Sequence, residues 1–153
     1  MGIYIDAFHK LKESILDSDI LILLAALLTL VFLFATQLLV KAIKKRTDAW
    51  KKDRNVEFSD FLWKAASKCY TLFVTMISVF PLLGMFGTVV GLLGLDLASG
   101  DMNNIKTNFF VALTSTAWGI IFSVIFKILH ALMADNVEEQ IETAKKLAEE
   151  LGH

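Results

Sequence analysis

Residues 81–94 read Pro81-Leu-Leu-Gly84-Met-Phe-Gly87-Thr88-Val-Val-Gly91-Leu-Leu-Gly94 and lie inside a long uncharged run. Gly84, Thr88 and Gly91 recur at spacings of four and three residues, which places them on one face of a helix. In lipid, no hydrophobic force drives one helix onto another, and small residues mark the surfaces where two backbones approach closely. The stretch therefore predicts a membrane-spanning helix with one face packed on protein.

A second apolar segment offers a matching face. Its small and hydroxyl-bearing residues fall near one stripe: Ala112, Ser115, Thr116, Gly119 and Ser123. Two such faces, each with a threonine, predict a close-packed and slightly polar seam at membrane depth. The seam is interpreted either as a pore lining or as a socket for another helix.

The composition excludes several classes of protein. Hydrophobic residues make up 56% of the 153 residues, and the mean hydropathy is +0.59, which is too apolar for an ordinary soluble domain. The formal net charge of -1 provides no basic field for nucleic acid. The lone Cys69 excludes an internal disulfide, and no Cys/His spacing resembles a metal site. Because no enzyme motif is present, we expect no catalytic residue, cofactor or metal.

Three segments are long and apolar enough to span a bilayer, which requires about 20 residues. They are residues 20–40, 69–95 and 109–134, the third interrupted only by Lys127. The sequence thus predicts an all-α membrane protein with three transmembrane helices.

The remaining segments are predicted to flank these spans. Residues 1–19 suit an amphipathic helix in the outer interface, and residues 96–108 form a short outer loop. Residues 41–68 form a basic loop in which the second helix begins. Residues 135–153 carry an apolar stripe that prolongs the third helix as an amphipathic tail, which we expect to pack between subunits.

The orientation follows from the distribution of Lys and Arg. Residues 41–68 contain nine of them, whereas residues 96–108 contain only Lys106. Since basic loops stay in the cytoplasm, we expect the N-terminus outside and the C-terminus, with long extensions of the second and third helices, in the cytoplasm.

Few residues of the spans could carry chemistry. For Lys127, snorkelling to the interface is favoured over a functional role, and for His130 an interfacial role is favoured over a proton relay. Thr88 and Thr116 either bond their own backbone carbonyls or hold water in a narrow path, and the sequence leaves both interpretations open.

Two stretches of the chain form a recognisable pattern: residues 81–91, followed by Gly94, and Ala112-Leu-Thr-Ser-Thr-Ala-Trp-Gly119. Together they resemble the MotA/TolQ/ExbB proton-channel family. The resemblance is closest to the TolQ/ExbB branch. In that branch the second span reads Pro, two residues, Gly-Leu-Phe-Gly-Thr-Val-Trp-Gly, and the third reads Ala-Leu, two residues, Thr-Ala, one residue, Gly. The resemblance covers residues 56–134 in detail and the whole chain in topology.

This resemblance implies a homopentameric ring in the bacterial inner membrane, with the second and third spans around a central pore and the first against lipid. A partner resembling ExbD, TolR or MotB would place a single helix with a membrane aspartate in the pore, and ion flow would drive movement. Thr88 and Thr116 match the family's pore-lining threonines, and we expect Ser115 and Ser123 on the same pathway. The expected helix-packing residues are Pro81, Gly84, Gly87, Gly91, Gly94, Ala112 and Gly119.

One departure concerns Val111, which stands where the TolQ/ExbB pattern has a glutamate. Any titrating group must then come from the partner helix, or this chain does not conduct as its relatives do. The MotA branch also lacks that glutamate. The sequence does not distinguish H⁺ from Na⁺, nor import, envelope maintenance, motility or defence as the powered process.

Two alternative functions remain open at this stage. Three spans, a short chain and a charged tail also suit a small pore-forming protein such as a phage holin. The missing titratable group would suit a membrane scaffold that conducts nothing.

Overall fold

The computed structural model describes residues 20–52, 60–94 and 102–150. These ranges form three α-helices: α1 (Ile20–Lys52), α2 (Asp60–Leu93) and α3 (Met102–Glu150). Each helix is long and apolar enough to cross a membrane. For the described residues, the prediction of an all-α protein with three helices able to span a membrane is therefore confirmed. The predicted outer helix of residues 1–19 lies outside the described residues.

The helices extend well beyond the apolar spans. α1 continues through the basic segment to Lys52, and α2 begins at Asp60, ahead of its apolar part. Residues 102–108, which the sequence places in the outer loop, form the first turns of α3. Side-chain bonds along the helix support these turns, because Asn108 Nδ2 donates to Asn104 Oδ1 at 2.8 Å.

The contacts divide the chain into two compact units. One contains Met1–Leu27 and Met76–Phe126, and the other contains Leu28–Thr75 and Lys127–His153. In the first unit, the buried side chain of Phe80 stacks on Phe126 with ring centroids 5.3 Å apart. This aromatic pair fixes α2 against α3 beside the small-residue seam.

The second unit has its own core, formed by one small or branched residue from each helix. Ile43 of α1, Ala66 of α2 and Ala144 of α3 are buried together, with Leu39, Leu62, Trp63 and Ile141 packed around them. The apolar stripe of the tail therefore packs on α1 and α2 of its own chain. α1 stays helical through residues 41–52 and supplies that surface; the expected packing of the tail between subunits stays a prediction.

The polar side of the tail carries two ion pairs within α3. Lys146 Nζ lies 2.8 Å from Glu142 Oε1, and Lys145 Nζ lies 3.9 Å from Glu149 Oε1. The hydrogen bond and the charge of Lys146 lower the pKa of Glu142, and Glu142 raises the pKa of Lys146 in return. Both groups are exposed, so the pair supports the helix only modestly.

Candidate functional site

The seam between α2 and α3 is built on glycine. A Cβ atom added at Gly119 would lie 2.6 Å from the carbonyl oxygen of Phe80 and 2.9 Å from Cα of Gly84. One added at Gly91 would lie 2.9 Å from Cβ of Ala112. These distances are shorter than van der Waals contact, so the two backbones approach as closely as only glycine allows.

The same register continues along both helices. Gly87 faces Ser115, and a Cβ at Gly84 would lie 3.1 Å from the carbonyl oxygen of Ser115. Gly94 differs, because it is exposed and its nearest neighbour is the Asn108 side chain, whose Nδ2 donates to the Gly94 carbonyl at 2.6 Å. The structure thus places six of the seven predicted packing residues (Pro81 apart) at the α2–α3 contact, with Gly94 at its end.

Two threonine hydroxyls meet in the middle of the seam. Thr88 Oγ1 and Thr116 Oγ1 are hydrogen-bonded to each other. Thr88 Oγ1 lies 3.1 Å from the Gly84 carbonyl oxygen and 3.2 Å from that of Ala112. Thr116 Oγ1 lies 3.3 Å and 3.4 Å from the same two oxygens. Each threonine therefore contacts both its own backbone, one turn earlier, and the opposite helix.

This cluster contains four oxygen atoms and two hydroxyl protons. If one hydroxyl donates to the other, the second can donate to either carbonyl, and the direction can reverse by rotation of both hydroxyls. Both threonines are half-buried in the single chain. The arrangement is a cluster of hydrogen-bonding oxygen atoms at the α2–α3 contact.

The two serines of the predicted pathway are buried against α2. Ser115 is 1% exposed and packs on Gly87, while Ser123 is 4% exposed. Ser123 Oγ donates to the carbonyl oxygen of Ile77 at 3.3 Å. Because Pro81 has no N–H, that carbonyl lacks its helical donor. Within one chain, both serines therefore serve the helix contact.

Val111 lines a small cavity beside the seam. The cavity has a volume of about 110 Å³, and none of the described side chains that line it is ionisable. Its walls are apolar except for one serine: Leu21, Ile22, Leu83, Phe86, Gly87, Val90, Val111 and Ser115. The position of the TolQ/ExbB glutamate is thus an apolar surface in this chain.

The second unit contains a polar chain that the sequence did not predict. Tyr70 Oη lies 2.9 Å from His130 Nε2 and donates to Glu138 Oε1 at 2.9 Å. The Tyr70 and His130 rings stack with centroids 5.7 Å apart. The signal in the sequence was weak: a tyrosine and a histidine each near the end of an apolar segment, where amphipathic rings collect.

Among the described residues, no three His, Cys, Asp or Glu side chains are grouped closely enough to hold a metal ion. Cys69 is a free, half-buried thiol.

Three membrane-length helices, two of which meet at a glycine seam, define a multi-pass α-helical membrane protein. The model of the MotA/TolQ/ExbB proton channel family matches residues 33–146, and the chain belongs to this family. The matched range includes both seam threonines and the Tyr70–His130 contact. The chain matches no curated protein and no solved structure.

Proposed function

We propose that this chain is the ring subunit of a TolQ/ExbB-like motor, or stator, driven by a transmembrane ion gradient, with the proton as the favoured ion. Five copies would form a ring in the bacterial inner membrane around an ExbD- or TolR-like single helix that carries an aspartate. The family match over residues 33–146 is the observation that carries this proposal. The function is a non-enzymatic coupling of ion flow to mechanical work.

The seam supports a role for α2 and α3 next to the ion path. The Thr88 and Thr116 hydroxyls both donate and accept hydrogen bonds, so they can pass a hydrogen bond on without carrying charge themselves. Among the described residues, no titratable side chain lines the cavity at Val111. The carboxylate that binds the ion would therefore come from the partner helix.

Contacts within the second unit support one common membrane boundary for the three predicted spans. Gln37 Nε2 lies 3.8 Å from Met133 Sδ, and Tyr70 contacts His130. The cytoplasmic ends of all three predicted spans fall at these residues, so one membrane boundary can serve all three helices.

Moving one charge through about 100 mV yields about 2.3 kcal/mol, which is enough to bias small movements of a ring against its partner.

A non-conducting scaffold is the second candidate, and the apolar surface at Val111 favours it. The two functions differ in what the partner does. A motor needs the aspartate of the partner for ion flow, whereas a scaffold needs only assembly.

Native mass spectrometry of the full chain in mild detergent provides the first test. We expect a discrete pentamer; a monomer, a dimer or a broad ladder would contradict the ring.

The chain alone, reconstituted in vesicles with an internal pH dye, should not leak protons, because its seam contains no titratable group. Leakage, together with lysis of expressing cells, would favour a holin-like pore.

A further inference from the structure

One face of α1 changes from apolar to basic at the end of its span. Phe34 and Leu38 are 64% and 66% exposed, and Lys41, Lys45 and Lys52 continue the same stripe at spacings of three, four and seven residues. The opposite face is buried through Thr36, Val40, Ile43 and Thr47. The exposed stripe is therefore one surface that passes from apolar to cationic.

Within the described ranges, none of the exposed lysines of α1 is paired with a carboxylate. Lys41, Lys44, Lys45, Lys51 and Lys52 are exposed, and in the described ranges no carboxylate lies within 4.0 Å of any of them. The ion pairs that the structure contains among these helices are both within α3. Asp48 is the single acidic residue of α1. The charges of these five lysines are therefore available to an external anion.

The lysines of α1 fall into two groups according to their distance from the hydrocarbon core of the membrane. The headgroup layer on each side of a bilayer is about 5–7 Å thick, and a helix rises about 1.5 Å per residue. With the span ending at Val40, Lys41, Lys44 and Lys45 lie within about 8 Å of the hydrocarbon edge. Lys51 and Lys52 lie roughly 17 Å from it, beyond the headgroups.

We propose that Lys41, Lys44 and Lys45 form a binding site for the phosphate groups of anionic phospholipids in the cytoplasmic leaflet. The acyl chains of the bound lipid lie along Phe34 and Leu38. The site rests on the proposed membrane position of α1, but it requires neither a ring nor a partner.

A lipid fits this surface better than an acidic protein segment does. The apolar half of the stripe gives acyl chains a continuous surface directly above the lysines, whereas an acidic protein segment would leave Phe34 and Leu38 without a role. Each lysine close to an anionic surface contributes about 1 kcal/mol, which corresponds to roughly a fivefold change in association constant.

The test compares lipid selectivity in nanodiscs that contain the full-length chain. Spin-labelled phosphatidylglycerol and phosphatidylcholine report the fraction of each lipid held at the protein surface. We expect the wild-type chain to prefer phosphatidylglycerol, and Lys41→Gln/Lys45→Gln to lose most of that preference, with Lys41→Arg/Lys45→Arg retaining it. The matched control Lys51→Gln/Lys52→Gln removes the same charge below the headgroups and should lose much less.

Three outcomes would overturn the site. They are equal selectivity for both lipids in the wild-type chain, equal losses in the two Gln pairs, and abolition of the preference by inorganic phosphate at matched ionic strength. The last result would mean that the lysines bind a soluble anion. Helicity measured by circular dichroism checks that each variant folds, and the subunit count tests the ring separately, so failure of the site and failure of the motor proposal are distinguishable.

Discussion

The hydroxyl of Ser123 donates a hydrogen bond to the carbonyl oxygen of Ile77 across the α2–α3 contact, at 3.3 Å. This carbonyl is the one that Pro81 deprives of its helical N–H donor. Both Ser123 and Ile77 are buried, so within the single chain solvent water does not reach this carbonyl oxygen to donate in place of Ser123. A proline inside a membrane helix is thus compensated by a serine on its neighbour.

Ser123→Ala should destabilise the folded chain by about 0.6 kcal/mol, the average for a side-chain hydrogen bond between membrane helices, and by no more than about 1.7 kcal/mol. The free energy of unfolding, measured by SDS titration in mixed micelles, would report the change. In a Pro81→Ala background the restored N–H can bond Ile77, so Ser123→Ala should cost less there. An equal cost in both backgrounds would show that this bond is not the reason for the loss.

Gly119→Ala should disrupt the seam far more than Gly94→Ala. The added methyl group at position 119 meets backbone atoms of Phe80 and Gly84, which cannot move aside cheaply. At position 94 it meets the end of the Asn108 side chain, and the Gly91 carbonyl oxygen lies at an ordinary contact distance of 3.5 Å. We expect a loss of roughly 1–3 kcal/mol for Gly119→Ala, as for other overpacked contacts, and little change for Gly94→Ala. The same unfolding titration measures both, and similar losses would contradict the glycine register.

The seam was predictable because its determinants are local in the sequence. Spacing alone placed Gly84, Thr88 and Gly91 on one face, and the same reasoning selected Ala112 and Gly119 as their counterparts. Uncharged runs of sufficient length gave the three spans. The carbonyl freed by Pro81 was likewise foreseeable, but its donor was not, because the pairing of Ile77 with Ser123 depends on the register between two helices.

In the second unit, helical periodicity did not predict which surfaces pack against each other. The apolar stripe of the tail was recognised, but its partner was not, because the basic composition of residues 41–52 suggested a loop rather than more helix. Ile43 within that segment packs against Ala144. The contact between Tyr70 and His130 was not predicted, because a stacked ring pair between two helices leaves no pattern within the sequence of either helix.

Thr88 and Thr116 should behave as one unit in a double-mutant cycle. Thr88→Val leaves Thr116 with its carbonyl acceptors but without its hydroxyl partner, and the second substitution then removes less than it does alone. We expect a coupling energy of about 0.5–1.5 kcal/mol in unfolding, with assembly into the proposed ring retained. Thr88→Ser keeps the hydroxyl and serves as the control.

In the proposed motor, the same valine variants should abolish ion flux when the chain is reconstituted with its single-span partner, whereas Thr88→Ser should retain it. Loss of assembly in Thr88→Val would instead assign the pair to packing. Unchanged flux in both valine variants would remove the threonines from the ion path.

The hydrogen-bond directions around Tyr70 determine the tautomer of His130. A carboxylate only accepts, so the single hydroxyl proton of Tyr70 is directed to Glu138, and the Tyr70 oxygen must accept from His130. The neutral imidazole of His130 should therefore carry its proton on Nε2, which nitrogen NMR of the histidine-labelled chain can measure. His130→Gln, which removes one histidine signal, assigns the resonance.

Glu138→Ala should reverse this preference, because the freed Tyr70 hydroxyl can then donate to His130 Nε2 and leave the ring proton on Nδ1. Tyr70→Phe removes the partner altogether, so the tautomers should approach the mixture of a solvated imidazole. A wild-type ring protonated on Nδ1 would contradict the chain of bonds from His130 through Tyr70 to Glu138. A tautomer that is the same in all three proteins would show that the stacking contact, rather than the hydrogen bonds, positions His130 on α3.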